Sequence, residues 1–456
     1  MKKIMKKMAG LCMAMLMVSQ LVACGGGNAT NGDDSGANNN QENVKTEGET
    51  NLSWEEIKAQ IPEELKGTTV TVYNWNDANL ATGSVMAIQK FEEETGIKVK
   101  WVTGSYESYA TDIAAMVTAN EAPDIVRLRD TDFSMLKLLT PLDEVDYDFT
   151  DKAWNQDIMY EYQVNGKQYA VALDDTPYVN PLIMYYNRSL ISKYNLEDPY
   201  ELWKKGEWTW DKCMEMCETF LDAAGTNFNG LSLYMGADYA SSLGTSFFSY
   251  EPETSQYVSH MSDTALVKGW QFVADNVRRG LIMTNVYQTT FLEKGLLLFC
   301  NVGSIGARTT HNYFVEMKEN GELGTVPVPS VEGQDTYYQY LTELEAYGIP
   351  QGAKNPEGAA YFLRYYLDAA NYDMNSFYCD DQAAEVVNWC MQQEVTTNVH
   401  RVIYEDQYGA SEVGMAYKLM TSDLAQIKTH LDTFSPIIDT VVKDGNEVLS
   451  GLSKGE

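Results

Sequence analysis

The stretch that decides the fold runs from TTVTVY at residues 68–73 to APDIV at residues 122–126. Its β-branched segments favour strands, and the apolar residues between them recur at the spacing of helices. Gly96 is placed to end the first of these helices. The predicted elements are strands at 68–73, 97–102 and 122–126 and helices at 84–95 and 105–120. This β-α-β-α-β order predicts an α/β lobe with a largely parallel sheet.

The rest of the chain continues in the same style. Ser53 and Glu56 form the pattern of a capping box that opens a short helix. Further helices are predicted at 210–223, 266–279 and 355–369, and a buried strand at 296–302. About 400 folded residues exceed one usual core, so two domains are expected. The predicted class is α/β with two lobes, each a mostly parallel sheet flanked by helices.

The first residues resemble an export signal. Four lysines precede an apolar run that ends in LVAC, with Cys24 followed by glycine. This tetrapeptide resembles the lipobox of bacterial lipoproteins, which implies cleavage after residue 23 and lipidation of Cys24. The alternative is an ordinary signal peptide with an incidental cysteine. Residues 24–50 are rich in Gly, Asn, Asp and Ser and predict a disordered tether with a reach of about 25–30 Å.

The composition excludes some classes of function. The formal net charge is −32, with 65 acidic against 33 basic residues, so the surface repels nucleic acid and anionic lipid headgroups. Cys213 and Cys217 fit the apolar face of a helix better than a zinc site. The acidic run from Asp143 to Asp151 lacks the calcium-loop pattern and indicates a solvated loop. Neither a metal nor a cofactor is predicted, and whether Cys379 and Cys390 pair stays open.

Several motifs, in order, resemble one known family. They are F91-E-x-x-T-G-I-x-V99, A122-P-D-I125, G166-K-x-Y-A-V171, M184-Y-Y-N-R188, W208-T-W-D211, the turn after residue 302, V326-P-V-P329 and Y347-G-I349. Together these motifs are similar to the carbohydrate-binding group of extracellular solute-binding proteins that serve ATP-binding-cassette importers. One departure is VALDD at residues 171–175, where the family has a proline after the G-x-x-Y strand.

The resemblance implies a two-lobed, type II periplasmic-binding-protein fold with a hinge. It implies a monomer that captures a carbohydrate, an oligosaccharide, and delivers it to the importer's permease without catalysing a reaction. The membrane would be contacted through the lipid anchor alone, on the extracellular side. The expected parts are 51–178 and 336–372 in lobe 1, 179–335 in lobe 2, and a C-terminal helical part at 373–456, mostly in lobe 2.

A neutral sugar needs flat aromatic side chains for its ring faces and polar groups for its hydroxyls. Such residues are sought where parallel strands end, since ligands of open α/β sheets bind there. The candidates are Trp75, Asn76 and Asp77 after the first strand, Arg129, Asp130 and Asp132 after APDI, Asp175, Tyr178 and Asn180 before the crossover, and Arg308 and Tyr338 later. Asn180 matches a position where the resemblance implies a carboxylate in the cleft.

Several candidates have a purely structural alternative. The segment around Trp75 is equally typical of a capping turn, Arg129 and Asp130 of a surface ion pair, and Arg308 of a surface arginine. With 30 tyrosines in the chain, Tyr338 also fits a packing role.

Other functions also stay open. A polyamine, another cation or a peptide would be a different solute for the same fold. A secreted lipoprotein glycosidase would need a pair of carboxylates. An adhesion or scaffold lipoprotein would have no small ligand.

Overall fold

The computed structural model describes most of the chain between Leu52 and Gly451. The described residues are 52–75, 77, 84–106, 108–128, 133–150, 154, 162–164, 167–172, 181–234, 236, 238–251, 254, 256–309, 312–341, 346–368, 378–399 and 408–451. The signal, Cys24 and the tether predicted from the sequence lie outside them.

Helices and strands alternate along the described residues. The strands are β1 Thr69–Asn74, β2 Lys98–Thr103, β3 Ile125–Arg127, β4 Gln163–Val164, β5 Lys167–Gln168, β6 Ala170–Val171, β7 Leu182–Asn187, β8 Asn229–Ser232, β9 Phe248–Glu251, β10 Gln256–Ser259, β11 Leu297–Gly303, β12 Leu323–Pro327, β13 Tyr338–Leu341, β14 Tyr347–Gly348 and β15 Glu394–Val399.

The α-helices are α1 Trp54–Lys58, α2 Ser84–Thr95, α3 Tyr109–Thr118, α4 Arg188–Lys193, α5 Pro199–Lys205, α6 Trp210–Ala224, α7 Asp238–Ser242, α8 Thr264–Arg278, α9 Thr289–Glu293, α10 Val315–Glu319, α11 Pro356–Tyr366, α12 Asp381–Cys390, α13 Glu412–Met420 and α14 Ile427–Leu449. Short 3-10 turns include Phe133–Leu138 and Ser304–Ala307.

Two main sheets organise these elements into two lobes. Within the described residues, the first has five strands in the order β2-β1-β3-β14-β6, and the second has four in the order β12-β7-β11-β8. Both faces of each sheet are covered. In β7, for example, Leu182 and Met184 belong to one hydrophobic core, whereas Ile183 and Tyr185 belong to another. A strand buried on both faces is mainly apolar, which explains the run LIMYY, whereas Asn187 at its end caps the following helix.

Each sheet contains one reversed strand. In the first sheet β14 is antiparallel to β3 and β6, whereas β1, β2 and β3 are parallel. In the second sheet β7 is antiparallel to β11 and β12, whereas β11 and β8 are parallel. Most strands of each sheet therefore run in the same direction, as predicted. The antiparallel pairs are those that the reversed strands β14 and β7 form with their neighbours.

The reversed strands mark the places where the chain passes from one sheet to the other. Pro181, just before β7, accepts a 2.8 Å hydrogen bond from the amide of Ser304, which follows β11. Ala346, just before β14, accepts a 2.9 Å bond from the amide of Leu128, which follows β3. Each reversed strand thus enters its sheet at the edge where the parallel strands end, called here the carboxyl edge.

These passages tie the two carboxyl edges together. Gln339 of β13 donates a 3.2 Å hydrogen bond to the carbonyl of Leu182, so β13 lies beside the start of β7. From Leu341 to Ala346 the chain spans at most about 18 Å. The carboxyl edges of the two sheets are consequently held close to one another by a short connection.

The long helix α14 packs on both lobes. It contacts the turn Phe133–Leu138 near the first sheet as well as β10 and α8. Ile438 and Val441 of α14 belong to the same core as Met135 and Met184. The domain boundaries at residues 178, 335 and 372 stay predictions.

The caps predicted from the sequence are confirmed. Ser53 and Glu56 form the capping box of α1, and Thr209 caps α6. Helix α2 covers the predicted residues 84–95, and Gly96 follows it with a φ of +77°. Cys213 and Cys217 are buried on α6, and the five described cysteines, Cys379 and Cys390 included, are free. Asp143, Glu144, Asp146 and Asp148 are exposed, as a solvated loop requires.

Asp124 joins distant parts of the first lobe. Its Oδ2 accepts a 2.7 Å hydrogen bond from the amide of Thr71, and its Oδ1 accepts bonds of 2.8 and 2.7 Å from the amides of Lys354 and Asn355. Only 4% of Asp124 is exposed, so these amides have little access to water. The carboxylate therefore fixes the start of α11 against β1.

Replacing Asp124 with asparagine tests this arrangement. The amide removes the charge and turns one acceptor into a donor that faces a backbone amide. We expect Asp124→Asn to lower the free energy of unfolding by about 2–4 kcal/mol in urea denaturation. The exposed Glu121→Gln is the matched control and should change it by less than about 0.5 kcal/mol. Equal stability of the two variants would show that the three hydrogen bonds are dispensable.

Candidate functional site at the carboxyl edges

Aromatic residues gather at the carboxyl edge of the first sheet. The first-lobe aromatic cluster consists of Tyr73, Trp75, Tyr106 and Tyr109. The rings of Tyr73 and Tyr109 are stacked with centroids 5.2 Å apart and an interplanar angle of 8°. Trp75 meets Tyr109 and Tyr106 nearly at right angles, at 4.9 and 5.6 Å. Trp75 keeps part of its surface exposed, so it is available to a ligand.

Hydrogen bonds fix the base of this cluster. The Tyr109 hydroxyl donates to the carbonyl of Tyr73 at 2.7 Å and accepts from the amide of Arg127 at 3.1 Å, which connects β1 to β3. The Tyr73 hydroxyl donates to Asp112 at 3.1 Å. Burial and this hydrogen bond raise the pKa of Tyr73 to about 12, so the phenol stays neutral at physiological pH.

A second group of aromatic residues lies at the carboxyl edge of the second sheet. This second-lobe tyrosine cluster consists of Tyr234, Tyr287 and Tyr313. Tyr234 follows β8 and lies 5.6 Å from Tyr287, whose ring lies 5.8 Å from that of Tyr313. The hydroxyls of Tyr287 and Tyr313 are hydrogen-bonded to each other. Tyr287 is 38% exposed.

The segment that carries Tyr287 is held against the end of β8. Ser232 donates to the carbonyl of Asn285 at 3.2 Å and accepts from the amide of Gln288 at 3.1 Å. The amide of Tyr287 itself donates to Leu233 at 2.9 Å. Tyr287 has a φ of +60°, an uncommon conformation for a bulky residue that is often found at binding sites.

A buried polar pair lies beside the tyrosine cluster. Asp238, at the start of α7, accepts hydrogen bonds from the side chain of Asn301 at 2.8 Å and from the amide of Tyr234 at 3.3 Å. Asp238 thereby fixes the turn that directs Tyr234 from the end of β8.

Four of the sequence-predicted residues, Trp75, Asp77, Arg308 and Tyr338, belong to the described part of the chain. Trp75 belongs to the first-lobe aromatic cluster, and Asp77, two residues later, is exposed. Tyr338 is half-buried in β13. The remaining candidates Asn76, Arg129, Asp130, Asp132, Asp175, Tyr178 and Asn180 lie outside the described residues. Contact with a ligand stays a prediction for all of them.

Arg308 is not a surface arginine. It is 2% exposed and forms a β-bridge with Tyr378, while its carbonyl accepts a 2.7 Å hydrogen bond from Lys318. Burial raises the pKa of Tyr378, and the positive charge of Arg308 opposes that rise. Arg308 is thus part of the packed base of the second lobe, and its contact with a ligand also stays a prediction.

Sequence reasoning missed the residues around Trp75 and the whole tyrosine cluster. Tyr106 and Arg127 lie near the ends of β2 and β3, and ligands of open α/β sheets bind where the parallel strands end. Tyr234 lies two residues after the end of β8, so the same reasoning about strand ends finds it once that strand is known. Tyr287 carries no such local signal, because its position depends on the hydrogen bonds to Ser232 and Leu233.

Comparison with known proteins identifies the family. The sequence model of the bacterial extracellular solute-binding proteins matches residues 86–376, which is well over half of the chain. The chain belongs to this family. None of the curated proteins compared with the chain is significantly similar to it in sequence.

Solved structures share the fold. The sugar-binding protein MalE of Xanthomonas citri has a TM-score of 0.60 at 12% identity and covers 82% of this chain and 98% of its own. An ABC substrate-binding protein of Listeria monocytogenes, in complex with cycloalternan, has a TM-score of 0.58 at 16% identity, covering 82% and 99%. An extracellular solute-binding protein of Staphylococcus aureus, in complex with maltose, has a TM-score of 0.57 at 14% identity, covering 83% and 98%.

These likenesses confirm the two-lobed α/β fold predicted from the sequence. Among the described helices, none is both long and apolar enough to cross a membrane.

Gly104 makes room for the base of the first-lobe aromatic cluster. A Cβ at this position would lie 2.2 Å from the hydroxyl oxygen of Tyr73 and 2.3 Å from its Cζ. We expect Gly104→Ala to displace the Tyr73 ring and to lower the free energy of unfolding by about 1–3 kcal/mol. In a Tyr73→Ala background, the same substitution should cost almost nothing. A double-mutant cycle by urea denaturation measures this coupling, and an equal cost in both backgrounds would contradict it.

Proposed function

We propose that this chain captures a carbohydrate, specifically an oligosaccharide, in the cleft between its lobes and delivers it to the permease of an ABC importer. The protein acts as a monomer by binding and release, without chemistry on the sugar. Cys24 carries the lipid that anchors it to the outer face of the cell membrane after the signal is removed.

The observation that carries the proposal is the presence of an aromatic cluster at the carboxyl edge of each sheet. Partly exposed rings suit the apolar faces of a sugar, and neighbouring hydroxyls and carboxylates suit its polar edge. Because the short connection from Leu341 to Ala346 joins the two edges, an oligosaccharide long enough to span them contacts both clusters. Cycloalternan and maltose, found in two of the similar structures, are oligosaccharides.

The geometry also supports a mechanism for capture. Two lobes joined by chain crossovers close about a hinge when a ligand contacts both of them. Closure is favoured only by contacts that exist in the closed state, so a ligand bound to one lobe alone does not drive it. A closed, loaded form then differs from the empty form in a way that a permease can recognise.

A panel of mono- and oligosaccharides tests capture. At 100 times its dissociation constant, a sugar should stabilise the chain from Asn51 onward by about 2.7 kcal/mol, which raises the melting temperature measurably. Chromatography of the sugar afterwards should recover it intact. No shift with any sugar would contradict the carbohydrate assignment and favour a polyamine or peptide. A shift accompanied by degraded sugar would favour a glycosidase.

Substitutions at the two clusters test the location of the site. We expect Trp75→Ala and Tyr287→Asn each to weaken binding of the sugar found in the panel about five- to thirtyfold, since each removes one ring contact. Asparagine is chosen at Tyr287 because it tolerates a positive φ. Tyr417→Ala, which removes a 54% exposed tyrosine on α13, is the control and should bind normally. Calorimetric titration gives the affinities, and normal binding by both cluster variants would place the site elsewhere.

A further inference from the structure

A carboxylate lies beside the first-lobe aromatic cluster, on the first turn of α3. Asp112 Oδ2 accepts hydrogen bonds from the hydroxyl of Tyr73 at 3.1 Å and from that of Ser108 at 2.7 Å. Tyr73 is the last residue but one of β1, and Ser108 directly precedes α3. The carboxylate therefore lies at the carboxyl edge of the first sheet, where ligands of open α/β sheets bind.

The other oxygen of this carboxylate is available to a ligand. Among the residues that the structure describes, none donates a hydrogen bond to Asp112 Oδ1. Asp112 is half-buried, and its Oδ1 is not among the enclosed polar atoms that lack a partner, so this oxygen reaches solvent. One oxygen thus fixes the carboxylate to the protein, while the second keeps its lone pairs for another donor.

The residues that hold Asp112 also hold the aromatic rings. Tyr73 stacks on Tyr109, and Trp75 meets the Tyr109 ring edge-on at 4.9 Å. Tyr109 lies three residues before Asp112 on α3, a spacing that makes the two side chains neighbours on the helix surface. An acceptor with a fixed orientation therefore lies next to the partly exposed ring of Trp75, and a sugar needs both kinds of group.

We propose that Asp112 is a binding and specificity-determining residue. Its Oδ1 accepts a hydrogen bond from one hydroxyl of the sugar. A carboxylate can only accept hydrogen bonds, and bonds to a charged acceptor are about twice as strong as neutral ones. A carboxylate or sulfate of the ligand is repelled at this place. The inference rests on the proposed function and adds that the oligosaccharide presents a hydroxyl, and no negative charge, to Asp112.

Replacing Asp112 with asparagine alters this contact while keeping the shape of the side chain. Because an amide nitrogen cannot accept hydrogen bonds, Tyr73 and Ser108 hold the amide oxygen in the place of Oδ2, which leaves the NH2 group in the place of Oδ1. The probe is the sugar that stabilises the protein most in the panel, with maltose and cellobiose among those tried. We expect Asp112→Asn to bind it at least about tenfold more weakly in calorimetric titration.

Two control variants separate a ligand contact from a general effect of charge or packing. Glu121→Gln removes the same charge from an exposed residue beyond the other end of α3 and should bind the probe normally. Tyr73→Phe removes a donor to Oδ2 but leaves Oδ1 in place, so it should weaken binding less than about threefold. An equal loss of affinity in Tyr73→Phe and Asp112→Asn would show that Asp112 acts only through the aromatic cluster, and would overturn the inference.

Monofluorinated analogues of the same sugar identify the hydroxyl. Fluorine replaces a hydroxyl by a group of similar size that cannot donate a hydrogen bond. At one ring position, we expect the analogue to bind the complete protein at least about tenfold more weakly than the parent sugar. Asp112→Asn should reduce that difference at least about threefold, because its NH2 group donates instead of accepting.

The outcomes distinguish this inference from the proposed function. If every fluorinated analogue binds the complete protein as well as the parent sugar does, the inference is overturned without any variant. The same holds if Asp112→Asn binds the parent sugar normally or leaves all the differences unchanged. In these cases the sugar is still bound, so the proposed function stands. Failure of every sugar to bind would contradict the proposed function and this inference with it.

Discussion

The carboxylate of Asp124 is the interaction on which the first lobe depends. Three backbone amides, from Thr71, Lys354 and Asn355, donate to it across more than 200 residues of sequence. Asn355 in turn caps α11 and donates to the hydroxyl of Thr68 at 2.9 Å. A buried carboxylate without these donors would be costly, and so would the amides without the carboxylate. The network therefore fixes the segment that follows β14 against β1. It thereby holds β14 in a sheet whose first strand lies almost 300 residues earlier in the sequence.

The way in which the chain passes between the two sheets determines where the candidate site lies. A chain that enters a sheet from the carboxyl edge has to run against the parallel strands, which accounts for the reversed directions of β7 and β14. Since both passages occur at carboxyl edges, the ends of β1, β2 and β3 and the ends of β8 and β11 lie at edges that the chain joins directly. The fold thus brings Trp75 and Tyr287, which are far apart in sequence, to edges held together by a short connection. The guanidinium of Arg127 contacts one of those rings.

Local signals predicted most of the elements but little of the site. The predicted bounds of α2 match the observed ones because Gly96 ends the helix. The predicted start of α6 is also correct because Thr209 caps it, whereas its end lies one residue later than predicted. Helix α3 begins at Tyr109, four residues later than predicted, since an apolar period does not indicate where an uncapped start lies. The APD motif was recognised, but no local pattern shows that Asp124 reaches Lys354. The burial of Arg308 beside Tyr378 and the position of Tyr287 likewise depend on tertiary contacts. The hydrophobic periodicity of the sequence contains no information about such contacts.

In the proposed mechanism, one sugar contacts the strand ends of both lobes. Hydrogen–deuterium exchange, with and without a sugar that stabilises the protein, tests it most directly. We expect slower exchange of backbone amides in both the 103–109 and the 285–288 segments when the sugar is bound. Slower exchange in one lobe alone, or only at surfaces away from the carboxyl edges, would contradict it.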